Sequence, residues 1–184
     1  MTDTDSSRIL KDVEIDRHHT ILTQPFEGSP VLVLLVIYDR KHIMLTQAKG
    51  LSTWVAPQSA ISRGDGTLYG TMLRESAQEL GLSEADIVKR PMPVLGKCLT
   101  PARLESGEDG VEQLFFMPVS VARPDWGVNS VHMWAQTPEQ MLGLMAALLQ
   151  GQRLKFLATC EAVGKAFEAG LLNWSCGQQG LMHA

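Results

Sequence analysis

The sequence predicts an α/β protein with a mixed sheet and helices on its faces. Three observations carry this. Val31 to Asp39, VLVLLVIYD, is an unbroken apolar, β-branched run, as expected of a strand buried on both faces. Leu68, Met72, Leu73, Ala77 and Leu80 recur at helical spacing. Strand-like runs then return after that helix, and two further helical segments close the chain.

In order, residues 1–7 are polar and read as a disordered tail. Alternation at Val13, Ile15 and Ile21 suggests a short strand or two. Asp39-Arg40-Lys41 is a tight turn, and His42 to Ala48 returns as the second strand of a hairpin. Leu51 to Ile61 reads as irregular to extended chain. The turn Gly64-Asp65-Gly66-Thr67 opens a helix with Thr67 or Asp65 as cap, and Gly81 stops it. PVLGKCLT and VEQLFFMPVSVA are strands joined by an acidic loop, PARLESGEDG; VHMWAQ is a short strand. Thr137 caps a helix with Pro138 at its first position, running to Leu149. Residues 153–172 form a last helix, packed on its own domain or at a homodimer interface. We therefore expect one domain over 8–184.

The 184 residues are 45% hydrophobic and 20% charged, enough for a real core, with a net charge of −4. No basic tract stands out, which argues against nucleic acid as a partner. Three separated cysteines, Cys98, Cys160 and Cys176, make neither a disulfide framework nor a zinc site. The N-terminus lacks a signal peptide's basic start and apolar run, and no run is long enough to span a bilayer. These features suit a cytoplasmic protein.

The chemistry concentrates between Trp54 and Leu82. On a helix Glu75 and Glu79 share a face, a pairing that costs roughly 0.2–0.5 kcal/mol in water. A hard divalent cation reverses that sign, since Mg²⁺ is held by a few carboxylates together with substrate phosphates. Arg74 can orient a carboxylate through its planar fork. The turn before the helix presents N–H groups to a phosphate. The alternative is an ordinary solvated acidic face.

This stretch resembles the signature of the Nudix hydrolases. Arg74-Glu75-Ser76-Ala77-Gln78-Glu79-Leu80-Gly81-Leu82 matches the second half of the Nudix box. Pro57-Gln58-Ser59-Ala60-Ile61-Ser62-Arg63-Gly64-Asp65 is similar to its first half in the form with one extra residue, and Trp54 fits ahead of it. The likeness runs from about Val31 to Leu149. It implies a Nudix-like α/β/α sandwich with a mixed central sheet. It also implies a Mg²⁺- or Mn²⁺-dependent hydrolase that cleaves the pyrophosphate of a nucleoside diphosphate-linked compound. By analogy Glu79 is the main metal ligand, Glu75 a second ligand or base, Gln78 a weaker ligand, and Arg74 the orienting group. The box departs from the family at Ser59 for Gly, Asp65 for the first Glu, Gln78 for a Glu and Ser76 for an aliphatic residue.

Those departures support an alternative: a catalytically weakened Nudix-fold module that binds a nucleotide, a metabolite or a protein partner. Pro57-Gln58 resembles a loop of RNA 5′-end pyrophosphohydrolases, a reading the absence of basic surface opposes. Asp65, Ser59, Glu112 and Trp126 are candidate substrate contacts. The acidic loop offers Glu105, Glu108, Asp109 and Glu112, of which Glu112 and Glu108 are the candidates for the additional carboxylate that the family often places after the box. His18-His19 reads as an incidental surface pair, and His132 as a structural strand residue.

Overall fold

A computed structural model describes residues 26–47, 53–88, 96–103, 107–123 and 131–174. The expected tail, the strands near Val13, Ile15 and Ile21, His18, His19, Glu105, Trp126 and Cys176 lie outside these residues.

Seven strands form one mixed sheet: β1 Ser29–Tyr38, β2 His42–Gln47, β3 Trp54–Val55, β4 Gln58–Ala60, β5 Gly96–Arg103, β6 Asp109–Val121 and β7 His132–Ala135. The main path runs β3-β2-β1-β6-β5, with β4 added to β1 and β7 to β2. Among the described residues only β1 and β6 pair in parallel; the other pairings are antiparallel. The helices are α1 Leu68–Gln78, α2 Pro138–Met145, α3 Leu148–Gly151 and α4 Arg153–Glu168.

β1 is central because its side chains are apolar on both faces. Val31, Val33, Leu35 and Ile37 enter one core with Leu114, Phe116, Met141, Met145, Phe156 and Val163, beneath α2 to α4. Leu32, Leu34 and Val36 enter the other with Leu68, Met72, Leu80, Met117 and Val119, beneath α1. The result is an α/β/α sandwich, as expected. α4 packs on its own domain. Among the described residues no helix is long and apolar enough to cross a membrane.

The structure revises several element readings. Ala77 is exposed, while Thr71 and Ser76 are fully buried. The inward face of α1 runs through 68, 72, 75 and 76, and a residue one step further turns about 100° away. Ser76 lies against Met72, its Oγ 3.7 Å from the sulfur. The acidic loop is shorter than expected, because Pro101↔Val111, Ala102↔Gly110 and Arg103↔Asp109 extend the β5–β6 ladder. Pro101 is tolerated because β5 is an edge strand with one bonded side. The helix expected from Pro138 to Leu149 is broken between Met145 and Leu148. There the N–H of Ala146 bonds Gly143 and that of Leu149 bonds Ala146, a tighter ladder than the α-helix.

Asp39 and Arg40 both have positive φ, 50° and 56°, in the tight turn between β1 and β2. A side chain there costs about 1 kcal/mol, so Arg40→Gly should raise stability by about that amount in urea unfolding. α4 ends at Glu168, short of the expected 172, and Leu172 and Trp174 beyond its end still belong to the core. The N–H of Asn173 bonds the Arg40 carbonyl, and Trp174 Nε1 donates to the Lys41 carbonyl at 2.6 Å.

A 3-10 turn after α1, Glu84–Asp86, ties that face to the end of β6. Ala122 N–H bonds the Asp86 carbonyl at 2.9 Å, and Val88 N–H bonds Ser120 at 2.8 Å. Ser83, through its hydroxyl and N–H, and Arg123 hold the Asp86 carboxyl down to about 2, below its ordinary 3.8. A carboxyl lowered in the folded state stabilises fully above its unfolded pKa, and loses that contribution as pH falls through the folded one. Asp86→Asn should therefore lower the urea midpoint at pH 7. The gap to wild type should shrink below pH 3.8 and close near pH 2.

Candidate active site

The site is built where α1 meets β4 and β7. A 3-10 turn, Arg63–Asp65, precedes α1 and is capped by Ser62. Thr67 is the N-cap of α1, its Oγ1 accepting from Gly70 N–H at 2.9 Å. The Ser62 hydroxyl likewise takes the Gly64 N–H at 3.2 Å. These two donors, expected to face a phosphate, are already engaged. A Cβ on Gly70 would lie 2.1 Å from the Asp65 carbonyl oxygen, so the first turn of α1 is pressed onto the turn carrying Asp65.

Arg74 is the hub. Its Nε and Nη2 reach the two Asp65 oxygens at 2.8 and 2.9 Å, a bidentate pair. Nη2 also donates to the Ala60 carbonyl on β4 at 3.0 Å, and Nη1 to Glu75 Oε1. Asp65 is fixed in turn by the Thr71 hydroxyl at 2.9 Å and the Ser62 N–H. The Arg74 guanidinium holds the Asp65 carboxyl below its ordinary range, and Asp65 raises Arg74. Asp65 thus positions Arg74, and Arg74 positions Glu75.

Glu75 is only 6% exposed, which excludes a solvated face for it. It lines a cleft of about 50 Å³ together with Glu79, Leu34, Thr46, Pro57, Gln58, Leu80 and His132. Gln78 does not line this cleft, and its Oε1 lies 3.4 Å from Arg74 Nη1. Ser59 pairs with Leu32 inside a strand rather than at a loop apex, and its hydroxyl donates to the Ala60 carbonyl.

Glu112 stands apart. On β6 it shares the face of Leu114 and Phe116, opposite α1, and pairs with Lys155 on α4 at 3.1 Å. Glu108 and Asp109 are exposed near the β5–β6 turn. His132 sits on β7 directly across from Thr46 and enters the cleft. Burial lowers its pKa, and Glu79 acts in the opposite direction. The sequence did not single it out for the site. The available signal was strand alternation, which places His132 and the inward-packed Trp134 on one face.

A divalent cation fits this donor set. Glu75 and Glu79 bring carboxylates to one small cleft, and Mg²⁺ needs only one or two together with water and phosphate. No group of three His, Cys, Asp or Glu gathers as a metal site among the described residues.

No family model matches the sequence, and no curated protein matches it. Solved structures do resemble it. A Nudix hydrolase from Nitrosomonas europaea is similar over 83% of this chain and 100% of its own, at 13% identity and a TM-score of 0.51. An Ap4A hydrolase from C. elegans is similar over 72% of this chain and 98% of its own, with 15% identity and a TM-score of 0.46. The Nudix domain of Shewanella oneidensis NrtR, complexed with ADP ribose, covers 85% of this chain and 99% of its own, with 16% identity and a TM-score of 0.45. The first of these superposes closely enough to carry the fold. With the mixed sheet, the two helical layers and the Arg74 helix in place, the chain has a Nudix-like fold.

Proposed function

We propose that the protein is a metal-dependent Nudix-type hydrolase that cleaves the pyrophosphate of a nucleoside diphosphate-linked compound. The observation that supports this most is the chain Thr71–Asp65–Arg74–Glu75, which holds a buried carboxylate beside Glu79 in one cleft. A solvated helix face would not need such fixing.

In this reading Glu79 and Glu75 hold Mg²⁺ or Mn²⁺ against the substrate's phosphates. When bound, the cation supplies positive charge for the pyrophosphate and makes a water more acidic. Arg74 keeps Glu75 in one pose, so little reorganisation is left for the reacting geometry. Thr46, Gln58 and His132 line the same cleft, and in this reading they contact a phosphoryl oxygen. Ser59 contributes through the β4 backbone that carries Ala60, and Asp65 through Arg74.

The second reading is a binding module with weakened chemistry. It is favoured by Gln78, which stands where the family carries a glutamate and turns toward Arg74. Calorimetry with Mg²⁺ and Mn²⁺, with and without ADP-ribose, separates the two. The hydrolase reading expects metal binding that falls at least about ten-fold in Glu79→Gln. No binding at millimolar metal, with nucleotide present, would leave the binding module.

A further inference from the structure

We infer that the cavity between β5, β6 and the start of α4 binds a small anionic molecule bearing a phosphate or carboxylate group. This cavity, about 260 Å³, lies on the sheet face opposite α1 and is lined by Thr100, Ala102, Glu112, Gln152, Arg153 and Lys155, among others. It is the larger of the two spaces described here, and the hydrolase reading does not use it.

Three features set its chemistry. α4 is sixteen residues long, and no side chain caps its N-terminus. Its first three residues, Arg153, Leu154 and Lys155, all line the cavity. The uncapped amides of that turn carry the helix's partial positive charge and favour an anion.

Thr100 is the independent sign of a ligand. It lies on the same face of β5 as Cys98, whose side chain packs against the core under α4. It is 3% exposed, and its Oγ1 has no hydrogen-bond partner among the described residues. Buried hydroxyls are normally bonded, and an acceptor seated on the cavity floor is the partner this one lacks.

The charge balance points the same way. Lys155 is 7% exposed and directs Nζ to Glu112 at 3.1 Å. That contact uses one of its three donors and neutralises the carboxylate. Arg153, exposed at the mouth, leaves the cavity with a positive excess. Its size suits one anionic group with a small organic remainder.

This inference stands whether or not the α1 cleft hydrolyses anything. It is tested on the full chain by amide-resolved NMR during titration with inorganic phosphate and, separately, acetate, against sodium chloride at matched ionic strength. Saturable shifts are expected at Arg153, Leu154, Lys155 and Thr100 with at least one of the two anions. Stronger binding of one identifies the group as phosphate or carboxylate. Thr100→Val keeps the shape and removes only an unbonded hydroxyl, so Tm should hold or rise while anion affinity falls about ten-fold. Shifts that chloride reproduces, shifts confined to other residues, or unchanged affinity in Thr100→Val would overturn the proposal. So would a lower Tm in that variant, which would reveal a structural partner for the hydroxyl.

Discussion

In the hydrolase reading, Arg74→Lys is expected to lower kcat about 10²-fold and to weaken Mn²⁺ binding, with the fold intact. Lysine keeps the charge and loses the fork. It cannot at once span both Asp65 oxygens, reach the Ala60 carbonyl and hold Glu75, contacts that Arg74 makes through three nitrogens. Glu75 would then sample several poses, and a displacement of about 1 Å is enough for a loss of this size. Asp65→Asn should act in the same direction, because Asp65 works through Arg74. The double variant should be little worse than either single one, the pattern of residues that act as a unit. Steady-state kinetics on the substrate returned by a nucleotide screen, alongside Mn²⁺ titration, would check this. Full additivity would show that Asp65 and Arg74 act separately. Arg74→Ala should also cost about 2 kcal/mol of stability, since Asp65 and the buried Glu75 lose a shared partner.

Trp174→Ala should destabilise the protein by about 3–5 kcal/mol. Trp174 is 7% exposed and packs in the core beneath α4, and its indole N–H bonds the Lys41 carbonyl. Removing it leaves a cavity and an unbonded carbonyl beside the β1–β2 turn. Trp174→Phe keeps most of the packing and loses only the hydrogen bond, so it should cost about 1 kcal/mol. Urea unfolding of the two variants would separate packing from hydrogen bonding. Equal losses would place the effect in the bond instead.

The strands and the box helix were legible because their signals are local. The β1 run has apolar side chains at both parities, and that alone places it between two layers. Arg74, Glu75 and Glu79 stand at helical spacing after a capped turn, so their common helix follows from the order of residues. Thr67 as cap and Gly81 as stop, the latter with φ of 65°, were local too.

Long-range packing decided the rest. Nothing in PQSAISRGD shows that Arg74 reaches back nine residues to meet Asp65 or that Thr71 fixes it, because those contacts need the turn pressed onto α1 at Gly70. Glu112 has the same chemistry as Glu75, yet strand parity sends it to the other face and to Lys155. Trp174 stands at the start of a tail with no periodicity, and only the closing of α4 over the sheet buries it. The sequence by itself determined the main strands and helices and where the acids stand along them. The tertiary structure decided which acids share a cleft, because a side chain's neighbours across a sheet are set by register and layer rather than by distance along the chain.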